Sequence, residues 1–297
     1  MFPMMPSQPE GIMKFFVTAA FATLAFASAA QADIGWPTDW STPQTPFRIV
    51  GNTYYVGTKD LAVYLITSPR GDVLIDGALV DTVPQIEKNI AALGFKLSDI
   101  KLIVNTHAHF DHAAGLAQLK KDTGARFDAS AADKPILETG TISFGPTKNV
   151  HYPPVKVDRI IADGETVTAG DLHLTAHLTP GHTPGCTSWT WNETEGGKTY
   201  RVIDICSVSV AGNPLVNNKA YPKIVDDYRA SIARLSAMHA DVFLAPHAQF
   251  YDPQGKEASR RPGGPNPFID PNALQAFMTK AKAGFETELA RQQAAAK

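Results

Sequence analysis

The segment His107-Ala-His109-Phe-Asp111-His112 gathers three of the chain's nine histidines and one aspartate into six residues. It comes directly off an apolar run, residues 100–104, that reads as a buried strand. In a loop at that strand end, His107 and His109 can turn to one ion while Asp111 and His112 turn to a neighbour. His182 and His247 each follow another predicted strand, so six donors can converge. Imidazole nitrogen and carboxylate oxygen suit Zn²⁺, and a mononuclear site needs only three or four of them. Six therefore argue for two metals, which in catalytic pairs lie about 3.5–4 Å apart around a bridging oxygen. Such a pair supplies hydroxide at neutral pH, because zinc lowers the pKa of bound water from about 15.7 to about 7. A nucleophile then forms without a serine or cysteine. The competing reading is an adventitious histidine-rich site, against which stand the position after an apolar strand and the GHTPG run around His182.

The remainder of the chain bounds this chemistry. With 297 residues, 44% apolar and 19% charged, it can build one large globular domain or two small ones. A formal charge of −2 provides no broad positive field for a phosphate backbone, so nucleic acid is not an expected partner. At the N-terminus, Lys14 precedes an apolar run, residues 15–27, and then small residues ending Ala30-Gln31-Ala32. That pattern is a signal peptide over residues 1–32, cut after Ala32, with Met13 a better start than Met1. The apolar run is too short to span a bilayer, and no cysteine follows it to carry a lipid anchor. Export to a bacterial periplasm, with residues 33–297 as the mature domain and no membrane span after cleavage, is the expectation. Cys186 and Cys206 are too few for a disulfide framework and are read as free thiols.

Hydrophobic patterning predicts strands at 47–50, 54–56, 62–67 and 73–76, joined as hairpins by Gly, Asn and Pro turns. A helix follows over 84–93, then the strand 100–104 and a helix over 113–121. The second half repeats this loosely, with strands at 167–168, 172–178, 188–191, 201–205 and 242–244 and helices at 228–238 and about 271–292. Residues 138–154 and 211–222 read as long irregular loops of the kind that frame active sites. Mixed sheet and helices in two successive halves imply one layered α/β domain.

The HAHFDH segment matches the HxHxDH signature of the metallo-β-lactamase superfamily, with Pro180-Gly181-His182-Thr183-Pro184-Gly185 as the next ligand motif. Further strings extend the likeness over nearly the whole mature chain: PFRIVGNTYYVG, LAVYLITSPRGDVLIDG, PPVKVDRI, GHTPGCTSWTW, YPKIVDDYRASIARL and FLAPH. They resemble a class B β-lactamase of the third subclass. The resemblance implies an αββα sandwich, with His107, His109 and His182 holding one zinc and Asp111, His112 and His247 the second. It also implies that Asp76 is a buried acid orienting the ligand loop, against which stands a plain turn aspartate.

The discriminating position follows the strand near Ile205, in the run Asp204-Ile205-Cys206-Ser207-Val208-Ser209. Relatives place a bridging aspartate, a metal-binding cysteine or a serine there. Spacing to the downstream YP and DYR strings favours Ser207, with Asp204 as a metal bridge the competing assignment. Ser207 and Ser209 would bind the substrate carboxylate, or else be ordinary turn serines. The implied reaction is attack of a zinc-bound hydroxide, oriented by Asp111, on the β-lactam amide of penicillins, cephalosporins and carbapenems. The small molecule would be the only partner of a monomer. His151, His173, His177 and His239 lack partners at ligand spacing, and Tyr152 and Phe144 are better stacking candidates than His151. Trp36 and Trp40 either cover the cleft or pack. Two other readings stay open: hydrolysis of another ester, lactone or thioester by the same metals, and a non-catalytic zinc-binding protein.

Overall fold

Four short apolar runs, β1 (Phe47–Val50), β2 (Thr53–Tyr55), β3 (Tyr64–Ile66) and β4 (Asp72–Ile75), pair in succession as antiparallel neighbours. These are the expected hairpins. The computed structural model describes residues 36–296, so the signal peptide expected over residues 1–32 lies outside the described residues. From β4 the sheet continues in parallel through β5 (Ile100–Val104), β6 (Arg126–Ser130) and β7 (Arg159–Ile161), in the order β1-β2-β3-β4-β5-β6-β7. Parallel strands are covered on both faces, and β4 and β5 are accordingly almost wholly buried.

The second sheet is a meander of β8 (Thr166–Ala169), β9 (Leu172–Leu178), β10 (Thr187–Glu195) and β11 (Lys198–Asp204), extended by β12 (Val242–Leu244) parallel to β11. Its order is β12-β11-β10-β9-β8. Tyr64, Ile75 and Val104 of the first sheet share one core with Leu174, Trp189 and Val202 of the second. Buried polar bonds tie the two sheets as well: the Trp189 indole donates to the Asn105 carbonyl (3.0 Å) and the Tyr64 hydroxyl to the Ala245 carbonyl (2.6 Å).

Helices cover the outer faces. In the first half α1 (Val83–Ala92) starts with Pro84 in its first turn, buries Ile86 and Ile90, and stops before Gly94, whose φ of +88° no branched side chain would favour. The helix expected over 113–121 is instead two pieces, α2 (Phe110–Ala113) and α3 (Leu116–Thr123), the latter lying on β5. Gly115 separates them, its amide donating to the Ala78 carbonyl (3.0 Å) outside the helix, and only glycine fits there because the Gly77 carbonyl occupies the space a Cβ would need. The short α4 (Lys134–Thr139) precedes β7. On the second sheet α5 (Ile224–Ala237) packs against α7 (Ala273–Ala295), which also rests on β12, and the short α6 (Pro253–Ser259) lies between them in sequence. The layering is the expected αββα sandwich. Among the described residues no helix is long and apolar enough to cross a membrane.

The reading of Cys186 and Cys206 as free thiols is overturned: they form a disulfide with Cα atoms 5.7 Å apart. The reason is the β10/β11 hairpin, whose register sets Trp189 opposite Asp204 and so brings together the residues just outside the paired ends. Spacing of 20 residues in the sequence carried no such distance. In the chain-entropy account, a loop of this size stabilises the fold by about 3 kcal/mol. Paired Cys186→Ala and Cys206→Ala substitution should lower unfolding stability by about that amount in denaturant titration, and an unchanged midpoint would show that the bond contributes nothing to stability.

Candidate metal centre

Three strand ends, drawn from both sheets, deliver the polar residues. His107 and His109 follow β5, and His182 occupies the turn between β9 and β10; their donor atoms form one group within 4.8 Å. Asp111 and His112 sit on α2 and meet His247, which follows β12, in a second such group. Within the first, His109 Nδ1 lies 3.0 Å from His182 Nε2. In the second, His112 Nε2 is 3.1 Å from His247 Nε2, and Asp111 Oδ2 is 3.3 Å from His112 Nε2 and 3.4 Å from His247 Nε2. His107 Nε2 is buried with no hydrogen-bond partner. Each group thus aims ring nitrogens at a common point instead of at protein acceptors, as a cation site requires.

Buried carboxylates hold the loops. Asp76, at φ +66° just past β4, accepts from the Thr106 amide (2.6 Å) and hydroxyl (2.7 Å). Because that hydroxyl donates to Asp76, it can accept from His107 Nδ1 at 3.0 Å, which leaves the His107 Nε2 lone pair facing the centre. Asp76 Oδ2 also lies 3.5 Å from His112 Nδ1. Its role is therefore that of the loop-orienting acid, not of a simple turn residue. Asp133 was not legible in the sequence as a site residue. It accepts from the Ala108 amide and Thr183 hydroxyl (3.0 Å each) and from the Gly185 amide (2.9 Å), so it joins the two loops that carry the first trio.

Burial, together with neighbouring imidazoles, holds His107, His109 and His182 below the usual histidine range, His109 at about 4. These rings are neutral, with lone pairs available to a cation. Burial opposes charge on His112 too, but Asp111 and Asp76 push it up to about 10. His247 is raised against burial by Asp111 and Asp60. Asp111, though buried, is held well below the carboxylate range by His112 and His247. The buried Asp111 carboxylate therefore favours positive charge beside it, carried by protons on the two imidazoles or by a metal cation that displaces them.

Ser207 and Ser209 emerge together past β11, with Oγ atoms 3.0 Å apart. The Ser209 carbonyl accepts from His182 Nδ1 (2.8 Å) and from the Tyr228 hydroxyl (2.7 Å), so the serine loop is tied to a member of the first trio. Asp204 ends β11 outside both donor groups, with both carboxylate oxygens buried and without a hydrogen-bond partner. Cys206 is consumed by its disulfide and is not available to a metal. Tyr152, read as a stacking candidate, is buried and donates to the Ala108 carbonyl (2.9 Å), supporting the ligand loop instead. Phe144 is likewise buried, its ring 5.9 Å from that of His109. His151 is exposed and contacts Thr141; His177 contacts Thr190, and His239 is exposed near Asp241.

Burial raises the Asp133 carboxyl to about 6 against the donors that favour its charged form, whereas an unfolded chain would give it about 3.9. Between about pH 4 and pH 6 the native state keeps a proton that the unfolded state has lost, so this group makes stability fall as pH rises through that window. Urea unfolding of wild type and Asp133→Asn over the same range should show the slope in the former and its loss in the latter.

The profile of the metallo-β-lactamase superfamily matches residues 60–195. Among solved structures, the subclass B3 metallo-β-lactamase BJP-1 of Bradyrhizobium japonicum is 48% identical, with a TM-score of 0.84, covering 87% of this chain and 98% of that one. Native FEZ-1 metallo-β-lactamase of Legionella gormanii is 42% identical, with a TM-score of 0.82, covering 87% and 99%. A hydroxyacylglutathione hydrolase of Cereibacter sphaeroides is 36% identical over 108 residues, 36% of this chain and 35% of that protein. The chain spans about half the length, or less, of the curated relatives it matches. A fold shared with BJP-1 over nearly its full length, with the two donor trios at the strand ends, identifies this chain as a hydrolase of the metallo-β-lactamase superfamily, similar to its subclass B3 members.

Proposed function

We propose that the chain is an exported β-lactamase that uses two zinc ions to open the amide ring of penicillins, cephalosporins and carbapenems. His107, His109 and His182 would hold one ion, and Asp111, His112 and His247 the other. Tetrahedral zinc with ligand bonds of about 2.0–2.1 Å separates adjacent donors by about 3.3 Å. The His109–His182 separation of 3.0 Å in the first trio and the separations of 3.1–3.4 Å in the second fit that edge, and His107 offers a donor within 4.8 Å of its two partners. Bound there, zinc supplies acidified water near neutral pH and polarises a carbonyl oxygen.

The chain's own residues do the rest. Asp111 meets both imidazoles through Oδ2; its carboxylate would orient the attacking water by accepting a hydrogen bond from it, and the proton that water gives up would end on the departing amide nitrogen. Ser207 and Ser209 donate to the substrate carboxylate. The observation that carries the β-lactam reading is this serine pair, fixed to the first trio through the Ser209 carbonyl and His182. Likeness to BJP-1 over 98% of that chain supports the same reading. Export with cleavage after Ala32 leaves residues 33–297 as the mature periplasmic domain, and the Cys186–Cys206 bond fits an oxidising compartment. A thioester or lactone substrate is the second reading, favoured by the likeness to the hydroxyacylglutathione hydrolase.

Mature protein supplied with Zn²⁺ should turn over all three β-lactam classes, lose that activity to a chelator and regain it with Zn²⁺. Assays beside an acyl-homoserine lactone and a glutathione thioester separate the readings; intact β-lactams with a hydrolysed thioester would reverse the assignment. Ser207→Ala and Ser209→Ala should each raise KM about tenfold, the cost of one hydrogen bond to a charged group, while kcat changes little. Asp111→Asn should lower kcat by about 10² or more.

A further inference from the structure

Asp60 takes no part in the reaction outlined above, yet it sits against the ring of His247 that faces away from the second trio. It lies in the turn between β2 and β3, nearly 190 residues from His247 in sequence. Its carboxylate accepts from three donors: His247 Nδ1 at 2.8 Å and the Trp40 indole at 3.1 Å, both on Oδ2, and the Gln249 amide at 3.0 Å on Oδ1. Backbone bonds clamp the same two segments. Ala248 donates to the Asp60 carbonyl at 2.7 Å and Ala62 to the Pro246 carbonyl at 2.9 Å, while Leu61 and His247 form a β-bridge. Asp60 is 8% exposed, and the Trp40 ring lies 5.7 Å from that of His247 and 6.0 Å from that of Phe110.

These contacts do two things. By accepting a hydrogen bond from His247 Nδ1, Asp60 keeps the ring proton on that nitrogen and so sets the tautomer whose Nε2 lone pair is turned toward the second trio. A carboxylate behind the ring also raises its basicity as a ligand. Trp40, from the 3-10 turn Thr38–Trp40, donates to the same carboxylate oxygen that His247 meets and so helps hold it in place. His107 is set in the same way, through Thr106 and Asp76, so each trio has one imidazole fixed by a buried acid.

We propose that Asp60 is the positioning residue of the second metal site, fixing the tautomer and direction of His247, with Trp40 as its third-party support. The inference rests on the two-zinc reading and can fail separately from it. Metal-free wild type, Asp60→Asn, Trp40→Phe and His247→Ala would be titrated with Zn²⁺ against a chromophoric chelator. His247 tautomers would be read by long-range ¹H–¹⁵N correlation, and near-UV circular dichroism would report the fold. Wild type should take up two equivalents and His247→Ala one. Asp60→Asn should leave the first equivalent unchanged and weaken the second about 10–100-fold, the usual cost of losing such a partner, with His247 populating both tautomers. Trp40→Phe should weaken the second equivalent by less, in the same direction. Fewer than two equivalents in wild type would overturn the two-zinc reading itself. Two equivalents in wild type with an unaltered second affinity in Asp60→Asn would overturn the positioning role. Equal weakening of both equivalents, or a lost near-UV spectrum, would make Asp60 a clasp of the fold and overturn it as well.

Discussion

Donors that arrive from two different sheets can share a point only if the sheets themselves are held in a fixed relation. β5 of the first sheet supplies His107 and His109, whereas His182 and His247 come from the second. The apolar core between the sheets therefore acts directly on the chemistry. A shift of an ångström between layers would separate nitrogens that now lie 3.0 Å apart. The close-packed interior resists such a shift, because interdigitated side chains such as Trp189, Tyr64 and Val104 leave no slack for sliding. The Trp189–Asn105 and Tyr64–Ala245 hydrogen bonds add direction to a contact that apolar burial alone would leave unoriented.

On that platform, buried acids make the local adjustments. Asp76 fixes the start of the histidine loop, Asp133 joins that loop to the His182 turn, and Asp60 backs His247. None of the three belongs to a donor trio, yet each accepts several hydrogen bonds from residues beside one. A buried carboxylate is costly unless its oxygens are satisfied, so each persists only while the loops it joins stay in place. Asp204 differs, since its oxygens are buried without partners next to the same strand ends.

How much of this was legible beforehand follows from the kind of signal each part left. The six donors stood out because imidazoles cluster at strand ends, and β5, β9 and β12 could be read to the residue as uninterrupted apolar or alternating runs. β6 was missed because Asp128, buried and paired with Arg126 and Arg159, interrupts its apolar pattern. β7 has only three residues, two of them exposed, and α4 and α6, of six and seven residues, are each under two turns long and begin around proline. The break at Gly115 goes with an amide that bonds to the Ala78 carbonyl and a backbone that passes against the Gly77 carbonyl, both more than 30 positions earlier, which no local pattern encodes. Asp60 and Asp133 left no signal for the same reason. Their partners lie 20 or more positions away in sequence and are backbone amides, a hydroxyl and an indole, with His247 the single member of a donor trio among them.

The disulfide has a consequence for how the β10/β11 hairpin is chosen. A slip of one residue between those strands moves the partners by about 3.3 Å and turns side chains to the opposite face. The present Cα separation of 5.7 Å would then leave the range in which the bond closes without strain. Oxidation is thus a check on alignment. The covalent link can be made readily only on a hairpin that already sets the His182 turn and the Ser207–Ser209 loop side by side, and once made it locks in the pairing in which His182 meets the Ser209 carbonyl.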